Sequence, residues 1–170
     1  EGVAVGSVLS CLLLRELLNV VPNRATAESA IAAWNEEYWQ KEIRRLCPIG
    51  WEDVIKIEEK NRKNKSDTML TRLDKTIANW DEICQAVRCY IPTPEEIAAN
   101  LVSAGAPVTP AEIGLDEARF RDALRYARDM RYRYSVLQMI HDMGLDDRFN
   151  NIAAAHFAPW NIKKGDSYEA

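Results

Sequence analysis

The side chains able to ligate a metal, attack a carbonyl or relay a proton are few in this chain. Histidine occurs only at His141 and His156, and the cysteines Cys11, Cys47, Cys84 and Cys89 contain no CxxC pair. Two histidines without paired cysteines argue against a metal site built from this chain alone. The cysteines read as reduced, buried thiols, three of them on or beside apolar helical positions. Glu36 with Glu37, and Glu58 with Glu59, are adjacent in sequence; neighbours i and i+1 do not share a helix face, so neither pair is set up for acid–base work. There is no GxSxG elbow, no HExxH pair and no glycine-rich loop after a strand. Two basic groupings remain. The run Asn61 to Ser66, NRKNKS, reads as a solvated loop, because no glycine-rich turn accompanies its lysines. Arg125, Arg128, Arg131 and Arg133 flank Asp122 and Asp129, and helix-surface ion pairs account for most of them. One of these arginines is a candidate contact for a neighbouring domain or an anionic substrate. His141 falls on an apolar stripe and is expected as a hydrogen-bonded core or interface residue.

The elements that must position these groups are all helical. Gly2 to Leu18 carries no charge before Arg15 and has apolar or small residues on every side, which predicts a central buried helix covered all round. Its uncharged run falls short of the ~20 residues of a membrane span. Thr26 is the expected N-cap of a helix running to about Leu46, with Ala27, Ile31, Trp34, Tyr38 and Leu46 as its apolar marks. Pro48 and Gly50 break it, and a short helix from Trp51 to Lys60 follows, with Trp51, Val54, Ile55 and Ile57 facing inward. A long helix starts at Ser66 and carries Met69, Leu73, Ile77, Trp80, Cys84 and Val87 as its stripe. Thr93-Pro94-Glu95-Glu96 and Thr109-Pro110-Ala111-Glu112 are capped helix starts, ended by Gly105 and Gly114 respectively. A last long helix is expected from Asp116 to Gly144, with Phe120, Leu124, Ala127, Met130, Tyr134, Leu137 and His141 on one side. Phe149, Ile152, Phe157 and Trp160 would dock the segment after Asp146 onto the bundle, before the chain frays near Lys163 to Ala170. No alternating stretch predicts a strand. The fold class is therefore all-α, a multi-helix bundle, read as a single helical domain over residues 1–170 with 1–18 at its centre and 163–170 as a frayed tail.

Length and charge narrow the partners. A chain of 170 residues buries roughly 70% of its unfolded surface and needs no staple. The net charge of -4 and pI near 5.3 give no attraction to nucleic acid or anionic membranes. With no leader signature after Leu18, a cytoplasmic location is expected.

Ser103 to Leu145 resembles the closing region of sn-glycerol-1-phosphate dehydrogenases, the AraM-like branch of the iron-containing alcohol dehydrogenase and glycerol dehydrogenase superfamily. The resemblance rests on Ala104-Gly105-Ala106-Pro107, Pro110-Ala111-Glu112-Ile113-Gly114 and Arg133-Tyr134-Ser135-Val136-Leu137. Asn79-Trp80-Asp81-Glu82-Ile83, the Pro92 to Ile97 start and the opening EGVAVG are also similar to that family. It implies the C-terminal helical, metal-site domain of a two-domain dehydrogenase that interconverts dihydroxyacetone phosphate and sn-glycerol 1-phosphate. It also implies NAD(P)H bound by an N-terminal nucleotide-binding domain as the missing partner, and a divalent metal (zinc, iron or nickel) held by an aspartate and two histidines. Carried onto this sequence, the resemblance would place the second histidine two residues before Glu1, so Glu1 and Gly2 are expected to flank the site and this chain to hold no cofactor itself. Arg133 is the candidate substrate or domain-interface contact. A glycerol dehydrogenase-type polyol oxidoreductase domain and a stand-alone, non-catalytic helical interaction module are the alternatives, and self-association of the chain is a further partner expectation.

Overall fold

The computed structural model describes residues 1–160. The expected frayed tail, 163–170, lies outside the described residues. All regular elements among the described residues are helical, with no strand, as the apolar spacing predicts. The described residues form ten α-helices: α1 Gly2–Leu17, α2 Arg24–Ala32, α3 Glu36–Leu46, α4 Trp51–Asn61, α5 Ser66–Ala78, α6 Trp80–Tyr90, α7 Pro94–Ser103, α8 Glu117–Tyr126, α9 Val136–Asp142 and α10 Asp146–His156. Short 3-10 turns occupy Pro110–Ile113 and Ala127–Met130. The residues group into two compact units, one of Glu1–Val20, Asp81–Arg121 and the described part of Arg148–Ala170, the other of Val21–Trp80 and Asp122–Asp147.

In the first unit α1 packs along α7. Val5, Val8, Leu12, Leu13 and Leu17 form its buried face at helical spacing. The helix is not covered all round. Gly2, Val3 and Ser10 are exposed, Val3 at 84%. The hydroxyls of Ser7 and Ser10 donate back to the carbonyls of Val3 (2.9 Å) and Gly6 (2.7 Å), so this side satisfies its polar atoms without a neighbour. Both threonine capping boxes form, at Thr93 with Glu96 and at Thr109 with Glu112. Gly105 and Gly114 take the left-handed conformation that stops their helices. Phe120 stacks against Phe157 and Trp160, with ring centroids 5.5 and 5.1 Å away, so the segment after Asp146 does pack inward. It does so as the helix α10.

The second unit departs further from the expected helices. The helix predicted from Thr26 to Leu46 is two helices, with N-caps at Asn23 and Asn35 instead of Thr26; each asparagine accepts from the backbone N–H three residues on. The break shifts the helical phase. Trp39 and Ile43 are therefore buried where Tyr38 was expected, and Tyr38 is 59% exposed. The predicted Ser66 to Val87 helix likewise divides at Asn79, whose side chain donates to the Lys75 carbonyl at 2.7 Å. The predicted Asp116 to Gly144 helix ends at Tyr126, and Ala127 and Tyr134 are exposed. Chain 131–135 is non-helical before Ser135 caps α9 by accepting from the Gln138 N–H. Gly144 closes α9 at φ +70, so near α2 that an added Cβ would stand 2.7 Å from the Ala30 Cβ.

Candidate functional site

The chemically richest place in the molecule is a buried polar network in the second unit. Its centre is the NRKNKS run. That run is not a solvated loop: Lys63 and Asn64 are 6% and 2% exposed. The reason lies in a left-handed turn at Arg62, which ends α4 and turns the next two side chains inward. There they meet Asp129, whose side chain is 1% exposed. Lys63 Nζ pairs with Asp129 Oδ1 at 3.6 Å and donates to the carbonyls of Arg128 and Arg131. Asn64 Nδ2 donates to the same carboxylate at 3.0 Å, and Trp39 Nε1 donates to its other oxygen at 3.1 Å. Buried polar atoms must find such partners or carry the whole cost of lost hydration.

The network continues without interruption. Gln138 Nε2 donates to Asn64 Oδ1 (3.4 Å) and to Asp142 Oδ1 (3.0 Å), and the Arg72 guanidinium grips both Asp142 oxygens at 2.6 and 2.7 Å. Glu58 Oε1 accepts from the Asn64 backbone N–H at 2.7 Å. Arg128 branches to Asp146 at 3.4 Å, and Asp146 meets His141 Nδ1 at 2.7 Å. His141 is thus the hydrogen-bonded core histidine its stripe position predicted, with the Trp34 ring edge-on at 5.4 Å. Its Nε2 has no hydrogen-bond partner among the described residues.

Burial and charge set the protonation of these groups. Burial pushes the Lys63 ammonium below its ordinary value, and the charges of Asp129 and Glu58 only partly offset this. Burial raises the Glu58 carboxyl, against the bond from Asn64. Burial also acts to raise Asp146, but the hydrogen bond and charge of His141, with Arg128 and Arg125, outweigh it and hold this carboxyl low. What the network does is fix main chain: Lys63 ties down the carbonyls on either side of Met130, from which the exposed stretch Arg131–Ser135 springs.

Arg133, the predicted contact residue, stands on that stretch, exposed and without an ion pair among the described residues. Of the expected basic flank, Arg125 pairs with Asp147 and the buried Arg128 with Asp146, while Arg131 and Arg133 are exposed. Glu1 and Gly2 are exposed at the start of α1, with no side-chain cap. His156 is exposed against Phe157. Of the thiols expected to be buried, Cys84 is; Cys11 and Cys47 are half-buried and Cys89 is exposed.

The described residues contain no group of three His, Cys, Asp or Glu able to hold a metal ion. Glu1 and Gly2 do not by themselves make a metal site. No described helix is long and apolar enough to cross a membrane. No protein-family model, curated protein or solved structure matches the chain.

Beside the network, and within the same unit, lies a cleft of about 180 Å³. Trp34, Tyr38, Trp39 and Tyr126 are among its walls, with Arg125 and Arg128, and no carboxylate lines it.

Proposed function

We propose that this chain is the helical domain of a metal- and NAD(P)H-dependent dehydrogenase that interconverts dihydroxyacetone phosphate and sn-glycerol 1-phosphate. The support is the ordered resemblance described above, densest over Ser103 to Leu145. Within that segment the observation that carries the reading is Arg133. It is an exposed, unpaired guanidinium on a stretch whose base is clamped by Lys63 and Asp129. A free guanidinium on a stretch tied down at its Arg131 base suits a planar, bidentate contact with a phosphate or with a neighbouring domain. In this reading the metal would polarise the substrate carbonyl and the nicotinamide would deliver hydride. In this reading the groups that would hold both are supplied from outside the residues of this chain, and this chain would supply the helical wall and the arginine.

The test is to express the reading frame that contains Glu1 with whatever precedes it, and to follow NADH and NADPH oxidation with zinc and dihydroxyacetone phosphate. Turnover is expected from that protein and not from the 170-residue chain alone. Turnover by the chain alone, or a frame encoding no glycine-rich nucleotide loop, would overturn the proposal. In the active protein Arg133→Ala is expected to raise KM for the phosphorylated substrate while leaving the unphosphorylated ketone unaffected. An unchanged preference for phosphate removes Arg133 from the site.

A further inference from the structure

Unpaired charge and bare aromatic surface coincide on the exposed stretch Arg131–Ser135. We propose that this stretch docks an acidic segment of a partner protein, one with carboxylates on either side of an apolar side chain. Three observations carry this. First, Arg131 and Arg133 are exposed and neither makes an ion pair among the described residues, in a chain whose net charge is -4. Cations left unpaired at the surface attract and orient a partner's carboxylates. Second, Tyr132 stands between them 66% exposed, and Tyr134 beside them is 45% exposed. Arginine and tyrosine are the residues enriched at the centres of protein interfaces, and a tyrosine ring offers a large contact area with only two side-chain torsions to fix.

Third, the stretch is held at both ends. Lys63 Nζ donates to the Arg131 carbonyl at 3.1 Å. At the far end the Arg72 guanidinium lies over the Tyr134 ring, 5.6 Å from its centroid, and the Ser135 hydroxyl accepts from the Gln138 N–H at 3.4 Å. A partner then has less main chain to order than on a loop free at both ends. The mixture of side chains selects the kind of partner. A free phosphate would meet a guanidinium and leave Tyr132 uncovered, and a nucleic-acid backbone, a polyanion, finds only two unpaired cations here on an acidic chain. A protein segment brings carboxylates for the arginines and apolar cover for the ring together. The inference stands on these residues and not on the dehydrogenase reading, whose neighbouring domain would be one such partner.

The experiment titrates the isotopically labelled 170-residue chain with the end-blocked peptide Glu-Glu-Phe-Glu-Glu, its Lys-Lys-Phe-Lys-Lys counterpart, octathymidylate and inorganic phosphate, following the backbone N–H resonances of Arg131–Ser135. The acidic peptide is expected to shift them saturably, the basic peptide not at all, and phosphate and the oligonucleotide at least about tenfold more weakly. Arg131→Gln, Tyr132→Ser and Arg133→Gln change exposed side chains, and each should weaken the acidic peptide about threefold or more, the scale of one exposed contact. Arg148→Gln, at an exposed arginine of the other unit, should leave it unchanged. Absence of a saturable shift, an equal response to the basic peptide, phosphate or oligonucleotide, or unaltered affinity in the three variants overturns the proposal. No nicotinamide, metal or ketone enters the measurement, so its failure is separate from failure of the dehydrogenase reading.

Discussion

Asp129→Ala tests whether the buried network holds the second unit together. The substitution removes the counter-charge 3.6 Å from Lys63 and the acceptor of two buried donors, Asn64 Nδ2 and Trp39 Nε1. Breaking one side of a buried pair costs about 3–5 kcal/mol, and an orphaned buried donor about 1–3 kcal/mol. These overlap, because Lys63 keeps its carbonyl acceptors at Arg128 and Arg131 and water can enter the space the carboxylate leaves. The expected loss is about 4–6 kcal/mol, a large share of the ~5–15 kcal/mol of a typical domain. Lys63→Met alone leaves the buried Asp129 to the neutral donors of Asn64 and Trp39 and to Arg128 3.9 Å away. The double variant strands no charge, so its loss should fall short of the sum of the singles by about 2–3 kcal/mol. Urea unfolding followed by circular dichroism gives the four stabilities. A loss below about 1 kcal/mol for Asp129→Ala, or strict additivity in the cycle, refutes the reasoning.

Gly144→Ala must hold alanine at φ +70 and place its Cβ 2.7 Å from the Ala30 Cβ, whereas Gly105→Ala meets the same backbone strain at φ +74 with nothing within 4 Å. Thermal unfolding should show about 1 kcal/mol lost at Gly105 and at least twice that at Gly144; equal losses would mean the packing on α2 is immaterial. Burial raises the Glu58 carboxyl in the folded state, so between the ordinary glutamate pKa and that raised value the folded chain holds the extra proton. Stability from this group therefore falls as pH climbs through the window, and Glu58→Gln, which can still accept from the Asn64 N–H, should gain stability at pH 7 and not at pH 4. Asp146 has the opposite sign: held low by His141 against its burial, it contributes stability above the ordinary carboxylate range that is lost as pH falls through its depressed value. Asp146→Asn should accordingly flatten the acid side of the stability profile, and an unchanged profile would contradict the pairing.

What the sequence discloses and what it conceals divide along one physical line. The capping boxes at Thr93 and Thr109 and the left-handed stops at Gly105 and Gly114 are legible because each donor and acceptor lies within a few residues along the chain. The apolar stripes are legible for the same local reason, and they misled where a helix broke without losing its hydrophobic spacing. Asn35 followed by Glu36 and Glu37 carries a helix-start signal of its own, but apolar residues on either side of it still lie at three-to-four residue steps, so a single helix fits as well. The buried network was hidden because its partners stand far apart in sequence, Lys63 and Asn64 meeting Asp129 and Gln138. Periodicity is blind to such pairs: a lysine in a polar loop and an aspartate on a predicted helix surface each look solvated alone. Asp129 beside Met130, and Asp142 between His141 and Met143, were the available signals, carboxylates set among residues that otherwise face inward. A carboxylate that cannot reach water must be met by a donor, and here a loop lysine and an asparagine meet it. Apolar spacing proposes where helices run, and it cannot show which distant polar groups will meet between them.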